Sequence, residues 1–262
     1  MLGRETPRTR LAAHAGLVVL TLPFLVPMLV VLGVSLRGER LHNYTAVITE
    51  TPFLRFMLNS LIIAGGTVAL VYVCTMLAGF AFAKLRFRGR SLLFNALVLG
   101  LVLPTISLLV PLFVVIQQLG LFDSYLAVIV PLAAITTPFT LLLVRNYMIS
   151  LPDELVDAAR VDGCGDLRSL LLVVLPLARP ISAVVVVWTF LASWNEFFLP
   201  LLFLQDPDRQ AVTQVPLYFA STYGSDVPKI FASLVLISLP VVVAYLLLQR
   251  FFERGITGGA LK

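Results

Sequence analysis

The chain has 262 residues, of which 59% are hydrophobic and 13% charged, against about 45–50% and about 25% in soluble domains. With a mean hydropathy of +0.99, this composition excludes an ordinary water-soluble globule and makes a bilayer the solvent for most of the chain. A net charge of +5 and a pI near 9.5 would suit nucleic-acid binding in a soluble protein, so the placement of the 19 Lys and Arg residues decides what the charge is for.

Six stretches reach the roughly 20 mostly apolar residues that a helix needs to cross the hydrocarbon layer. In chain order they are Leu11–Leu36, Phe56–Ala83, Ser91–Leu119, Ser124–Val144, Ile181–Leu204 and Ile230–Gln249, and the lone Asp, Glu, Lys or Arg in any of them is Glu196, in the fifth. The first follows Arg4, Arg8 and Arg10, which admits a signal peptide. Its 26 residues exceed the about 7–15 of a signal core, and Gly33-Val34-Ser35 is a poor cleavage box, so a retained span is expected. With the N-terminus placed in the cytoplasm, fourteen of the Lys and Arg residues fall on the cytoplasmic side and five on the other, which is the positive-inside asymmetry. Both termini are therefore expected to be cytoplasmic, and the basic pI records orientation rather than a nucleic-acid partner. Eight prolines lie in the spans (Pro23, Pro27, Pro104, Pro111, Pro131, Pro138, Pro200 and Pro240). They imply kinked helices, as in pathways that open and close, although proline is common in membrane helices generally.

One connection departs from this pattern. Residues 146–180, between the fourth and fifth stretches, hold five acids that positive-inside topology does not require. Ser150 can cap a helix whose first turns hold Pro152, Asp153, Glu154 and Asp157, with Leu151, Leu155 and Ala159 on one face. Gly163 and Gly165 end that helix, and Leu167 begins another that Pro176 and Pro180 interrupt. A rigid knob results, apolar on one face and acidic on the other, suited to a cleft on a cytoplasmic partner. A helix lying among headgroups is the alternative, but such helices are rich in Lys and Arg and acids beside an anionic leaflet are repelled.

Asp157-Ala158-Ala159, three residues, Gly163, nine residues, Val173, one residue and Leu175-Pro176 resemble the EAA loop of ABC importer permeases, EAA-x3-G-x9-I-x-LP. Asp157 stands for the family's Glu and Val173 for its Ile, and Asp162 before Gly163 also fits. Asn59-Ser60, the run Gly79–Ala83 before the turn Phe87–Arg90, Gly120-Leu121, Trp194–Phe197 and the tail Gly255–Lys262 are similar to the maltose-type carbohydrate permeases. The resemblance implies an all-α integral membrane protein: a type I ABC importer transmembrane domain of six transmembrane helices, with cytoplasmic EAA coupling helices and both termini cytoplasmic. It divides the chain into 1–55 (N-terminal tail, first helix and external loop), 56–250 (the transmembrane domain, with the EAA loop at 150–180) and 251–262 (a cytoplasmic tail).

The same resemblance implies partners: a second, homologous permease chain, two ABC ATPase subunits and an extracytoplasmic solute-binding protein, in a bacterial or archaeal cell membrane. ATP and Mg would be bound by the ATPases, consistent with the absence here of a GxxxxGK[ST] phosphate loop; no cofactor, metal or catalytic residue is expected in this chain. Glu154, Asp157, Ala158, Ala159, Asp162 and Gly163 would couple to the ATPase. Gly258 and Gly259 would contact it through the tail, unless the tail is a frayed end. Glu196, with Trp194, Asn195 and Asn59, is a candidate for the translocation pathway or a gate, because an ionisable group in a span is costly. Direct sugar contact and interhelical packing are both open for it. An ion-gradient-driven secondary transporter is the competing class, but it would usually show inverted repeats or several midplane ionisable groups. No HExxH or GxSxG enzyme motif is present. Cys74 and Cys164 are expected unpaired, and His14 and His42 lack metal-site spacing.

Overall fold

A computed structural model describes residues 7–220 and 224–257, with side chains at 14, 16–220 and 224–246. Gly258 and Gly259 lie outside the described residues. Among those described, every regular element is helical: α1 (Pro7–Ser35), α2 (His42–Glu50), α3 (Phe53–Lys84), α4 (Arg90–Leu99), α5 (Leu109–Gln118), α6 (Leu126–Ser150), α7 (Glu154–Val161), α8 (Asp166–Ser169), α9 (Leu175–Leu177), α10 (Arg179–Trp194), α11 (Phe198–Phe203) and α12 (Val227–Thr257). Four helices are long and apolar enough to cross a membrane, and six spans result if each of two sharply bent pairs counts as one.

The chain forms two compact units, one of residues up to Thr51 with Val215–Ser238, the other of Pro52–Gln214 with the chain from Leu239. In the smaller unit the end of α1 is closed by side chains. Asn43, 2% exposed, donates to the carbonyls of Ser35 (2.8 Å) and Arg37 (2.9 Å), and the Ser35 hydroxyl lies 2.6 Å from the Tyr44 hydroxyl. These bonds satisfy carbonyls that a helix terminus leaves free. Lys229, near the start of α12, pairs with Glu50 of α2 at 3.1 Å.

The larger unit is built on α3, α6 and α10. Small residues let the helices approach: a Cβ on Gly79 would lie 2.5 Å from Val144 Cγ1, and one on Gly66 2.7 Å from Ile129 Cδ1, the kind of contact that packs helices without a hydrophobic driving force. Thr67, Thr75, Thr136 and Thr140 are buried there, and each hydroxyl donates to the carbonyl four residues earlier, so polar side chains enter the core with their hydrogen bonds made. One buried cluster gathers Met76, Phe80, Val144, Met148, Val156, Leu170 and Val174. A second gathers Ile63, Ile116, Leu132, Leu199 and Phe203.

Proline acts differently from place to place. The third apolar stretch is not one helix: it breaks at Leu103-Pro104, and Arg90–Val102 meets Thr105–Gln118 at 99°. Leu103 is extended (ψ 119°), as the residue before proline prefers. The fifth stretch is also divided, because α10 ends at Trp194 and α11 begins at Phe198. Pro23, Pro27, Pro131, Pro138 and Pro240 instead lie inside continuous helices. Pro176 does not interrupt the arm after α7: a π-helical turn, Leu170–Val174, joins α8 to α9, and its wider ladder accommodates a ring that would otherwise meet the carbonyl of residue 172. The arm bends at Ala178 instead, by 84° between Asp166–Leu177 and Arg179–Trp194.

Candidate functional site

Two regions carry the residues singled out by sequence, both within the larger unit. The first is the arm between α6 and α10. Ser150 is not a helix cap: it is the last residue of α6, and its hydroxyl donates to the Tyr147 carbonyl at 2.7 Å. Leu151 is extended, and the chain then turns into α7 beside Lys84. The Lys84 ammonium, its side chain only 2% exposed, donates to the Leu151 carbonyl (2.6 Å) and to Asp153 Oδ1 (2.5 Å). That hydrogen bond, with the charges of Lys84 and Arg86 behind it, holds the Asp153 carboxyl below the usual carboxylate range.

Helix α7 is two-faced. Val156 (2% exposed) and Ala159 (6%) pack inward, Val156 among Met148, Leu170 and Val174, while Glu154, Leu155, Asp157, Ala158, Val161, Asp162 and Gly163 are exposed. The inward face is thus not the Leu151, Leu155 and Ala159 row, since Leu151 precedes the helix and Leu155 faces out. Ala159, expected to meet a partner, faces its own chain. The helix closes with the Gly163 N–H donating to the Arg160 carbonyl (3.0 Å) and the Cys164 N–H to the Ala159 carbonyl (2.9 Å), a Schellman turn that places Gly163 at φ +82°. Arg160 reaches Asp157 (3.3 Å) and Asp166 (3.1 Å) across that turn. Between α7 and residues 84–87 lies a cleft of about 590 Å³ lined by both ions of the Lys84–Asp153 pair, Arg86, Asp157 and Arg160.

The second region surrounds the interruption after α10. Glu196 lies in the break, not on a helix. Its Oε1 accepts the backbone N–H groups of Phe198 (2.8 Å) and Leu199 (3.0 Å), so the carboxylate caps α11. Asn195 is exposed and donates to the Leu191 carbonyl at 2.9 Å. Trp194 is 1% exposed and lies against Phe190, ring centroids 5.5 Å apart, so of the pathway candidates it presents no open ring face. Asn59 is elsewhere and fully engaged. Its amide donates to the carbonyls of Asp208 and Gln210 (2.9 Å each) and accepts from the Tyr125 hydroxyl (2.7 Å), so it fastens the segment after α11 to α3 and the start of α6.

Sequence reasoning missed the polar network around that clasp. Asp123, at φ +56°, accepts from the backbone N–H groups of Gln205 and Asp206 (3.0 Å each). Its carbonyl takes a bond from Arg209, and Arg55 pairs with Asp208 at 2.8 Å. The available signal was Asp123 itself, since aspartate tolerates the left-handed region, together with the turn-forming run Gln205–Gln210. Cys74 and Cys164 are both free thiols.

Several apolar helices, two pairs of them sharply bent, with an amphipathic arm hung between α6 and α10, define a multi-pass membrane protein. Comparison with known proteins specifies it further: residues 72–258 match the model of the binding-protein-dependent transport system inner membrane component family, and the chain belongs to that family. Its members are the transmembrane permease components of ABC importers and have no ATPase site of their own. The chain is similar to the diacetylchitobiose uptake system permease protein NgcG of Streptomyces coelicolor, 32% identical over 95% of this chain and 88% of that protein. It is 34% identical to the trehalose/maltose transport system permease protein MalG of Thermococcus litoralis, over 85% of this chain and 81% of that one. Its fold is similar to a chain of a bacterial ABC transporter involved in the import of the acidic polysaccharide alginate, with a TM-score of 0.79, 20% identity, and coverage of 95% of this chain and 99% of that one.

Proposed function

We propose that this chain is one of two permeases of an ATP-driven importer that moves a carbohydrate inward across the cell membrane of a bacterium or archaeon. The observation that carries the reading is the two-faced arm: α7 is fastened to the membrane core through Val156 and Ala159, yet presents Glu154, Asp157, Ala158, Asp162 and Gly163 outward. Six spans, with α10 as the fifth, would leave both termini and the arm in the cytoplasm, where fourteen of the Lys and Arg residues then lie. The exposed face of α7 would seat in a groove of an ATPase subunit. ATP and Mg bind in that partner, and its closure would move the arm as a lever against α10. A different, homologous permease would complete the pathway, and a solute-binding protein would deliver the solute from outside. Relatives named for diacetylchitobiose and for trehalose/maltose support a carbohydrate as the cargo.

The test is uptake into vesicles carrying the assembled importer with ATP on the ATPase side, with and without a proton ionophore. Uptake should need ATP and survive the ionophore, and reversing Asp157 and Asp162 to Lys should abolish coupled uptake while all subunits still assemble. Uptake lost to the ionophore with ATP intact would establish an ion-driven transporter instead.

A further inference from the structure

The two interruptions in the apolar helices face one cleft. Thr105 and Ile106 begin the segment after the 99° break, Leu109 follows, and Glu196 and Phe198 flank the end of α10; together these five line about 300 Å³ of open space. Interrupted backbone at membrane depth is stable where it is buried in protein or lines a water-filled cavity, and broken helices recur at solute sites of transporters.

The groups on this cleft are ready for a ligand. Glu196 is fixed by the two N–H groups at Oε1, while its Oε2 has no hydrogen bond within the described residues, and neither has the Thr105 hydroxyl. A carboxylate held in this way toward lipid would be costly. Phe198 is 47% exposed and offers the aromatic face that the covered Trp194 cannot. The cleft is about the size of the smaller ligand pockets.

We propose that this cleft is a solute-contact site of the translocation pathway that takes a polyhydroxylated ligand. A sugar hydroxyl donates to Glu196 Oε2, the Thr105 hydroxyl exchanges a second hydrogen bond, and the C–H face of the ring lies on Phe198. The ligand class rests on the carbohydrate reading above, whereas the existence of an aqueous site does not.

The test uses the assembled importer in proteoliposomes, with Cys74 and Cys164 first replaced by Ser. Thr105→Cys and Phe198→Cys are exposed to a charged, membrane-impermeant thiosulfonate with and without ATP and vanadate, beside Leu99→Cys, 66% exposed on α4, as the control outside the cleft. Uptake of maltose and of N,N′-diacetylchitobiose is measured in parallel. Thr105→Cys and Phe198→Cys should react in at least one nucleotide state, and the sugar that is carried should slow the reaction. Glu196→Gln, which keeps an acceptor for the α11 N–H groups, should raise the half-saturating sugar concentration about ten-fold through loss of one charge-assisted hydrogen bond. Both cysteines silent in every state while a sugar is carried would overturn the site and leave the carbohydrate reading intact. Reactive cysteines with neither sugar carried would overturn the ligand class and leave an aqueous pathway.

Discussion

The lever reading makes the Val156 contact a mechanical requirement. If α7 transmits force, its attachment to the core must outlast the pull of the ATPase. Val156 is 2% exposed, among Met148, Leu170 and Val174. Val156→Ala removes two buried methyl groups, about 1.6 kcal/mol at about 0.8 kcal/mol each, and the cavity left behind raises the cost to about 2 kcal/mol. No charged contact on the outer face changes. The loss falls on local opening of the arm, so amide hydrogen exchange in α7 should quicken about 30-fold, as about 1.4 kcal/mol per factor of ten requires. In proteoliposomes the same variant should hydrolyse more ATP per solute carried while still assembling with its partners. Unchanged exchange in α7 would show that the inward face is not what anchors the arm, and faster exchange with unchanged stoichiometry would refute the lever.

Other predictions follow from single contacts. Asn59→Ala removes three part-buried hydrogen bonds, to the carbonyls of Asp208 and Gln210 and from the Tyr125 hydroxyl; it should lower stability by about 2 kcal/mol, read as a fall in the thermal midpoint of the detergent-solubilised complex. Gly163→Ala places a Cβ at φ +82° and should cost about 1–2 kcal/mol, seen as faster exchange at residues 162–165. Because the folded-state pKa of Asp153 is depressed, its pairing contributes fully above the ordinary aspartate pKa and is lost as pH falls through the folded value. Protection of residues 151–157 should therefore weaken on acidification below about pH 4, and Lys84→Met should remove that dependence.

The arm was legible in sequence because its signals are local. The spacing of Asp157, Gly163 and Leu175-Pro176 fixes a helix, a left-handed turn and a second helix whatever surrounds them, and all three are present. Which face points inward was not local: Leu155 and Val156 are both aliphatic neighbours, and only the position of Met148 and Leu170 selects Val156. Ser150 was misread as a cap because a serine before Pro152 and acids fits that role, but α6 runs on through it and its hydroxyl finds Tyr147 first. Glu196 announced itself as a costly charge, yet its partners, two N–H groups of the following turn, exist only once the chain breaks there.

The prolines show why the breaks themselves were hard to place. Pro131 and Pro138 sit in α6, whose buried residues include Val128, Leu132, Thr136, Thr140, Leu141, Val144 and Met148, so packing along its length keeps the helix continuous despite two missing donors. From Arg90 to Gln118 only Phe94 and Ile116 are buried, and nothing comparable opposes the extended preference at Leu103. The same residue type therefore bends the chain where its neighbours leave room and is overruled where they do not. Room at the break also means that the freed carbonyls need water or a ligand, which is the condition under which Thr105 and Glu196 can serve a solute.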